Sequence, residues 1–526
     1  MNLHEQIAAM DAQQLRKLAA ELIEKVTLQD QEIRSKTEAS ERDQRELHRR
    51  QVKIDQLTHE MAVLRRWKFA GRSEQLNAEQ WSLLEETIDA DLEAMQTELD
   101  DLQLKPSAPQ DDKQKPKREV LPASLPRVEV RHEPDSTTCH CGCELKRFGE
   151  DVSEKLDYTP GVFRVERHVR GKWACAKCQT LIQAPVPAQV IDKGIPTAGL
   201  LAQVLVSKYA DHAPLYRQEQ MFARAGYAIP RSTLGEWVGV CGVRLQPLVD
   251  ALKGALLERT VLHADETPVA MLKPGNGKTH RAYLWSWCST QHDDLKGVVY
   301  DFAETRGGRH ARDFLGSWKG KLVCDDYAGY KALFENGITE AGCMAHARRK
   351  FHELWANHSS QIAGEALKLY GALYDIEREI AALDADDRHR IRQARAAPAA
   401  DRLHRWLVLH RQKVPDGSAT ARAIDYSLKR WLALIRYLDD GNLPIDNNWV
   451  ENRIRPVALG RSNWLFAGSL RAGQRAAAVM SLIQSARLNE LDPYQYLRDI
   501  LQRLPTHPAS RIEELLPHRW VPAEIS

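Results

Sequence analysis

Apolar residues recur with different periods along this chain, and the changes of period divide it into segments. From about residue 12 to 66 the chain is polar, lacks Gly and Pro, and reads as helix. Ile54, Leu57, Met61 and Leu64 keep the alternating three-and-four spacing of a heptad seam, and Leu15, Leu18 and Leu22 begin a similar one. Between them the same register falls on Lys36, Ser40 and Asp43, which predicts two short coiled-coil pieces or one imperfect one. Either a second chain or a fold-back on the same chain would bury the seam. A second polar helix is expected from about 78 to 104, with Asn77 and Gln80 as a capping pair. Residues 105–125, rich in Pro, Lys, Asp and Ser, read as a linker.

The period then changes to β-type alternation over 126–185, as in Val128-Glu-Val-Arg and Phe163-Arg-Val-Glu-Arg-His-Val, which predicts a small β-rich module. Residues 197–258 return to helix. Within them, Gly226 and Pro230 mark a turn and Ser232 is a candidate N-cap, a pattern that fits a helix-turn-helix or a generic helical hairpin. From 259 three strand-like runs follow (Thr260-Val-Leu-His-Ala, Ala282-Tyr-Leu-Trp-Ser-Trp-Cys and Gly297-Val-Val-Tyr-Asp-Phe). A helix over 310–318 and a buried strand, Lys321-Leu-Val-Cys, complete the series. Residues 354–440, rich in Ala, Arg and Leu, read as purely helical. A helix resumes over 446–454, and another spans about 473–488 before a Pro-containing tail.

Composition narrows the class. The 526 residues exceed what one core can organise, so several domains are expected. Lys plus Arg (74) nearly balances Asp plus Glu (72), so any basic surface for a polyanion must be local. The start of the chain lacks the basic and apolar signature of a secretion signal, and no run approaches the ~18 apolar residues of a membrane span, so a cytoplasmic, nucleoid-associated protein without membrane contact is expected. Of nine cysteines, Cys139, Cys141, Cys143, Cys175 and Cys178 fall in one short stretch, which in such a chain points to metal rather than disulfides. Cys175-Ala-Lys-Cys178 has the gap of a zinc knuckle. Cys139 and Cys141 are the preferred partners for a structural Zn²⁺, with Cys143 left open as a substitute for either.

Three acids carry the candidate chemistry. Asp265 and Asp325 each end an apolar run, and Glu451 lies in a helix-like stretch. Carboxylates brought within ~4 Å repel by several kcal/mol at an effective dielectric of about 20, so such a cluster calls for a cation. Mg²⁺ or Mn²⁺ suits a few carboxylates plus phosphate oxygens, and two such ions about 3.5–4 Å apart drive phosphoryl transfer. Adjacent strand residues face opposite ways, so one of each pair Asp265/Glu266 and Asp325/Asp326 can serve, and Asp265 and Asp325 are favoured. Asn447, Asn448, Glu451 and Arg455 can share a helical face. Arg348, Arg349, Lys350, Arg453, Arg455, Arg461 and Arg475 are candidate phosphate contacts, and Trp464 and Phe466 candidate stacking groups on an unpaired base. Cys343 and His346 stand three apart, but no further ligand clusters near them in the sequence, so they read as a core Cys and a structural or DNA-facing His. Three strands, a helix and a further strand follow the order of a ribonuclease-H-like core.

The chain resembles DDE transposases of the insertion-sequence 66 family in His-Ala-Asp-Glu-Thr-Pro-Val (263–269), Asp-Asp-Tyr-Ala-Gly-Tyr (325–330), Cys-Met-Ala-His-Ala-Arg-Arg-Lys-Phe (343–351), Asn-Asn-Trp-Val-Glu-Asn-Arg-Ile-Arg-Pro (447–456) and Gly-Arg-Ser-Asn-Trp-Leu-Phe-Ala-Gly-Ser (460–469). The resemblance implies a multi-domain α+β protein. Its parts would be a helical, coiled-coil dimerisation region (1–104), a linker (105–125), a zinc-binding β module (126–190) and a helical DNA-binding or connecting region (191–258). A ribonuclease-H-like catalytic core (259–353 and 444–490) would be interrupted by a helical insertion (354–443), with a tail over 491–526. It also implies a triad of Asp265, Asp325 and Glu451 that cuts and joins DNA at the inverted-repeat ends of a mobile element, acting on target DNA as a homo-oligomer, with companion proteins encoded by the same element. Two departures from the family pattern, Cys139-His-Cys141 and Asp326 after Asp325, leave the first zinc pair and the second aspartate open. Two alternatives also stand at this level: a zinc-containing DNA-binding regulator with an inactive core, and a structure-selective nuclease.

Overall fold

A computed structural model describes residues 29, 31, 34, 40, 42–65, 78–102, 121–123, 125–134, 136–138, 143–159, 161–192, 194–273, 279–358 and 360–523. Leu15, Leu18, Leu22, Asn77, Cys139 and Cys141 lie outside the described residues. The chain divides into two compact units, one of residues 1–70 and 95–110, the other of 71–94 and 111–526. In the first unit a helix over 42–65 carries the predicted seam. Leu57 and Met61 are buried, as are Met95 and Leu99, and Lys53 lies 3.8 Å from Glu98. Of the two ways to cover the seam, its centre is thus buried within the chain.

In the second unit the β module is a four-stranded sheet. Its strands are β1 (Arg127–His132), β2 (Lys146–Thr159), β3 (Val162–Ala174) and β4 (Leu181–Gln183), with β3 paired to all the others. The β2–β3 hairpin turns at Gly161, whose φ of +87° suits a residue without Cβ. The module is tied to the next helix, Ala198–Tyr209, where Thr197 caps the helix, donates to Asp157 (2.6 Å) and donates its N–H to the Leu156 carbonyl, while the Leu156 N–H donates to the Ile195 carbonyl.

The helix after the predicted turn does not start at Ser232. It runs Arg231–Leu257 with Pro230 at the cap, because Pro at that position already sets a helix-compatible φ and lacks the N–H that would need a partner. Its Leu234, Trp237, Leu245, Leu248 and Leu252 are buried, and a Cβ on Gly239 would meet the Ala90 carbonyl at 2.4 Å. A helix so enclosed is part of the core along most of its length.

The central sheet has five strands, one more than the sequence pattern predicts: β5 (Val261–Met271), β6 (His280–Ser289), β7 (Val298–Ala303), β8 (Lys321–Cys324) and β9 (Thr339–Gly342), in the order β7-β6-β5-β8-β9. β5, β6 and β7 are antiparallel neighbours, while β8 pairs parallel to β5 and β9 parallel to β8. β9, with four residues and a glutamate, carries too short an alternation to show in the sequence. At the β7 edge the outward N–H groups of Val298 and Tyr300 donate to Ser485 (3.0 Å) and Ser481 (2.8 Å), one turn apart on the helix Leu470–Leu488, so this helix blunts the sheet edge. Alternation splits the sheet between two cores. Leu262, Ala264 and Leu322 join the larger one with helix Arg231–Leu257, and Val261, Val323 and Ala341 join a second one built by helices that follow β9.

Those helices are Met344–His358, Gln361–Ile380, Ala385–Ile391, Ala397–Arg411, Ala419–Lys429 and Trp431–Ile435. Arg392, fully buried, makes a bidentate pair with Glu377 (2.9 and 2.6 Å) and donates through Nη1 to the carbonyls of Tyr437, Asp440 and Leu443. No described helix is long and apolar enough to cross a membrane.

Arg475 is not a surface cation. It is buried and pairs with the equally buried Asp91 at 3.0 Å. Truncating one member of such a pair strands the other charge, so Asp91→Ala should destabilise this unit by about 3–5 kcal/mol. Adding Arg475→Met should recover most of that loss in denaturant unfolding. Equal stability of wild type and Asp91→Ala would contradict a structural role for the pair.

Candidate active site and metal ligands

The site forms where β5 loses its partner β8. Their parallel register ends at His263↔Val323, and Asp265 and Asp325 each stand two residues beyond that pair, side by side. Asp265 is therefore not at a strand end. β5 continues to Met271 against β6, with Asp265 opposite Ser286, and only its β8 side is open. By alternation Asp265 faces the side of Val261, toward the second core, while Asp325 directly follows the end of β8. Glu451 arrives from the same side in the first turn of the helix Asn448–Trp464.

Asn447 fixes that helix. It is fully buried, and its Oδ1 lies 2.7 Å from His263 Nδ1. Its Nδ2 donates to the Ala264 carbonyl at 2.9 Å, and its backbone N–H donates to Cys343 Sγ at 3.2 Å. Burial pushes the His263 imidazole down to about 4, so it stays neutral and its Nδ1–H can donate to the amide oxygen. Burial first, then the charges of Glu266, Glu451 and Asp325, push the Asp265 carboxyl well above the usual carboxylate range. Glu266, Glu451 and Asp325 are thus within electrostatic reach of Asp265.

The neighbouring acids are committed elsewhere. Glu266, on the opposite face, accepts from Tyr330 Oη (2.7 Å) and Arg306 Nε (2.8 Å). Asp326 pairs with Lys331 (2.8 Å) and faces Arg430 at 3.6 Å. Asp446 accepts from Tyr374 Oη (2.9 Å) and the Asn448 N–H (3.0 Å). Among the described residues Asp265 and Asp325 accept only main-chain N–H groups, from Glu266 and Tyr327, each at 2.9 Å.

The expectation that nothing joins Cys343 and His346 is overturned. Their ligand atoms and one of Glu451 all lie within 4.8 Å of one another, a contact that a sequence gap of about a hundred residues hides. His346 Nδ1 is 3.7 Å from Glu451 Oε1, and Arg349 is 3.2 Å from Oε2. Burial pushes the Cys343 thiol up to about 12.

The basic candidates separate. Arg348, Arg349, Arg455 and Arg461 are exposed, Arg461 also donating to the Pro268 carbonyl (3.1 Å). Lys350 lies over the Tyr426 ring (4.5 Å) and Arg453 over Trp449 (4.1 Å). Phe466 is buried with Ile88 and Leu272, and Trp464 packs against the larger core, so neither is placed to stack on a base. In the β module the Cys175 N–H donates to the Thr180 carbonyl (3.0 Å) and its own carbonyl accepts from Gln179 (2.9 Å), closing a knuckle-like turn. Cys143 shares a small cluster with Cys175, Leu145, Trp173 and Ile182.

Comparison with known proteins decides the family. Residues 193–475 match the model described as Transposase IS66 family, and 481–518 match the IS66 C-terminal element. Residues 136–179 match the zinc-finger binding domain of transposase IS66, and 56–130 match Transposase C of IS166 homeodomain. The chain belongs to the IS66 transposase family. It is similar to two Sinorhizobium fredii proteins whose names say only that they are uncharacterized. It is 37% identical to y4jD over 88% of this chain and 94% of that protein. It is also 37% identical to y4qI over 90% of both. IS66 membership supports a transposase whose partner is DNA, and the zinc-finger match supports zinc binding in the Cys-rich module.

Sequence reasoning missed His263 and the latch role of Asn447. The available signal was period two, since His263 lies two residues before Asp265 on the same strand face. Asn447→Ala should leave His263 Nδ1 and the Ala264 carbonyl without their partner, a loss of about 1–3 kcal/mol. Amide hydrogen exchange in peptides spanning 261–266 and 447–455 should accelerate roughly tenfold to a hundredfold. Unchanged exchange there would mean that the latch does not hold the helix.

Proposed function

We propose that this IS66 chain is a metal-dependent DNA strand transferase of ribonuclease-H-like fold, in which Asp265, Asp325 and Glu451 hold Mg²⁺ or Mn²⁺. It would cut a strand at each inverted-repeat end of a mobile element and join the freed 3′-hydroxyl to target DNA. The observation that carries the reading is the register of β5 and β8, in which Asp265 and Asp325 each stand two residues beyond the last pair, with Glu451 in the first turn of the helix Asn448–Trp464. The sheet order β7-β6-β5-β8-β9, three antiparallel strands followed by two parallel ones, supports the fold assignment.

The donors fit a hard divalent cation. All are carboxylate oxygens, Glu451 Oε1 is buried without a hydrogen-bond partner among the described residues, and burial together with neighbouring negative charge raises the Asp265 carboxyl, a cost that a cation relieves. When bound, such ions lower the pKa of an attacking water or 3′-hydroxyl and stabilise charge on the phosphate and the leaving oxygen. The protein's own groups do the rest. Arg348, Arg349 and Arg455 neutralise backbone phosphates next to the acids, and the Asn447–His263 contact keeps Glu451 at its station. Arg306, held by Glu266 and lying 3.8 Å over the Tyr327 ring, stiffens the turn that carries Asp325. The Cys-rich module, with Zn²⁺ on Cys175, Cys178 and two of Cys139, Cys141 and Cys143, binds the ends. A homo-oligomer brings two ends together, and proteins encoded by the same element complete the assembly.

Asp265→Asn keeps shape and removes charge. End binding should persist while Mg²⁺-dependent cleavage and joining of a duplex carrying the element ends fall by about 10³-fold or more. Wild-type activity in Asp265→Asn would remove this residue from the mechanism. Cleavage of branched DNA without end sequence and without joining would instead point to a structure-selective nuclease.

A further inference from the structure

A second constellation touches the proposed catalytic acids without being one of them. Cys343 immediately precedes the helix Met344–His358, His346 sits in its first turn, and Glu451 sits in the first turn of Asn448–Trp464. The insertion brings the two helix starts together, since Met344 N donates to the Ile445 carbonyl (3.1 Å) and Asn447 N to Cys343 Sγ. Among the described residues, both His346 Nδ1 and Glu451 Oε1 are buried without a hydrogen-bond partner, and they face each other at 3.7 Å. Two buried polar atoms at that separation are too far apart to bond each other and leave their lone pairs unsatisfied, a costly arrangement unless something sits between them.

We propose that Cys343, His346 and Glu451 form a binding site for a borderline-soft divalent cation of the Zn²⁺ class, sharing Glu451 with the proposed Mg²⁺ site. The donor set is a thiolate, an imidazole and a carboxylate, which selects Zn²⁺ or Co²⁺ over Mg²⁺. Tetrahedral Zn²⁺ with bonds of 2.0–2.3 Å sets its ligand atoms about 3.3–3.8 Å apart, and the three atoms here, all within 4.8 Å of one another, need only small side-chain shifts to reach that. Three protein ligands leave a fourth position for water or a phosphate oxygen. The site is separate from the Cys-rich module, because none of its residues lies between 139 and 178.

Sharing has a consequence, and this part alone rests on the proposed function. Glu451 Oε1 engaged by a soft ion on the His346 side is withdrawn from the acids on β5 and β8. Zn²⁺ should therefore inhibit Mg²⁺-dependent strand cleavage by competing for one carboxylate.

The test uses the full chain with its Cys-rich module filled with Zn²⁺, titrated with Co²⁺. Expected is one further equivalent with a thiolate-to-cobalt charge-transfer band, lost in Cys343→Ser and formed at least tenfold more weakly in His346→Gln and Glu451→Gln. A wild type with no such band, or a band unchanged in all three variants, overturns the proposal. The His346→Gln and Glu451→Gln variants keep the test decisive if Cys343→Ser fails to fold. In the activity arm, the Zn²⁺ concentration that halves Mg²⁺-dependent cleavage should rise at least tenfold in Cys343→Ser or His346→Gln. If the band appears but the full chain has no Mg²⁺-dependent cleavage, the metal site stands and the proposed function falls. If cleavage is present and Zn²⁺ inhibits wild type and variants equally, sharing of Glu451 is overturned.

Discussion

The hydrogen bonds of one buried amide decide where the third acid stands. Asn447 touches β5 through its side chain and the start of helix Met344–His358 through its backbone, so it sits at the junction of sheet, insertion and final helix. An amide suits this place because it donates and accepts at once, and it meets the one imidazole nitrogen and the one carbonyl that β5 offers on that face. A carboxylate would repel the Ala264 carbonyl, and an apolar side chain would satisfy neither group. Glu451, four residues on and donating its N–H to the Asn447 carbonyl (3.2 Å), inherits its position from that contact.

Gathering acids at such a junction costs folding energy, and the protein limits the cost by giving the neighbouring acids their own partners. Glu266 and Asp326, adjacent in sequence to Asp265 and Asp325, are each paired with a cation of the chain. The first pair follows from the pleat. When Asp265 faces the open side, Glu266 must face away into a buried setting where an unpaired charge would be far more costly, whereas Asp326, beyond the end of β8, is paired at an exposed position. The same alternation that builds the site thus forces the counter-ion of Glu266. The Tyr330 hydroxyl and Arg306 on Glu266 are as much a consequence of Asp265's direction as is the site itself.

Much of this was legible in the sequence, and the rest was hidden for identifiable reasons. β5, β6, β7 and β8 showed as apolar runs because both faces of the sheet are covered and nearly every position is buried, and the acids stood out because they interrupt or end those runs. β9 did not show, since Thr339–Gly342 carries a glutamate and too few residues for a pattern. Asp265 read as a strand end because the apolar run stops there, whereas β5 continues against β6 and is bridged near its end by Ala467. Arg475 read as a candidate phosphate contact, and Phe466 as either a stacking or a core group, because their partners, Asp91 for the arginine and Ile88 for Phe466, come from a polar helix hundreds of residues earlier. Periodicity reports which face is buried, but not against what, and the meeting of Cys343 and His346 with Glu451 is a fact of that second kind.

The helical segment between β9 and Asn448 poses a geometric question: how can about a hundred residues intervene between the second and third acids without loosening the third? The answer lies in its ends. The segment opens at Cys343–Met344 and closes at Ile445–Asn447 with direct hydrogen bonds between the two, so its departure and return points are the same place on the sheet. Closing a long loop costs only slowly more than closing a short one, roughly 0.6 kcal/mol per doubling, and a segment with its own apolar core recovers far more than that. Its last turn is then set rigidly from inside. Arg392 grips three carbonyls between Tyr437 and Leu443, and Gly441 passes so near the Ala385 carbonyl that a Cβ there would clash with it. A closed, internally braced excursion leaves the position of Glu451 independent of its length. The insertion is thereby free to carry surface such as Arg348 and Arg349, at its very first turns, directly beside the acids.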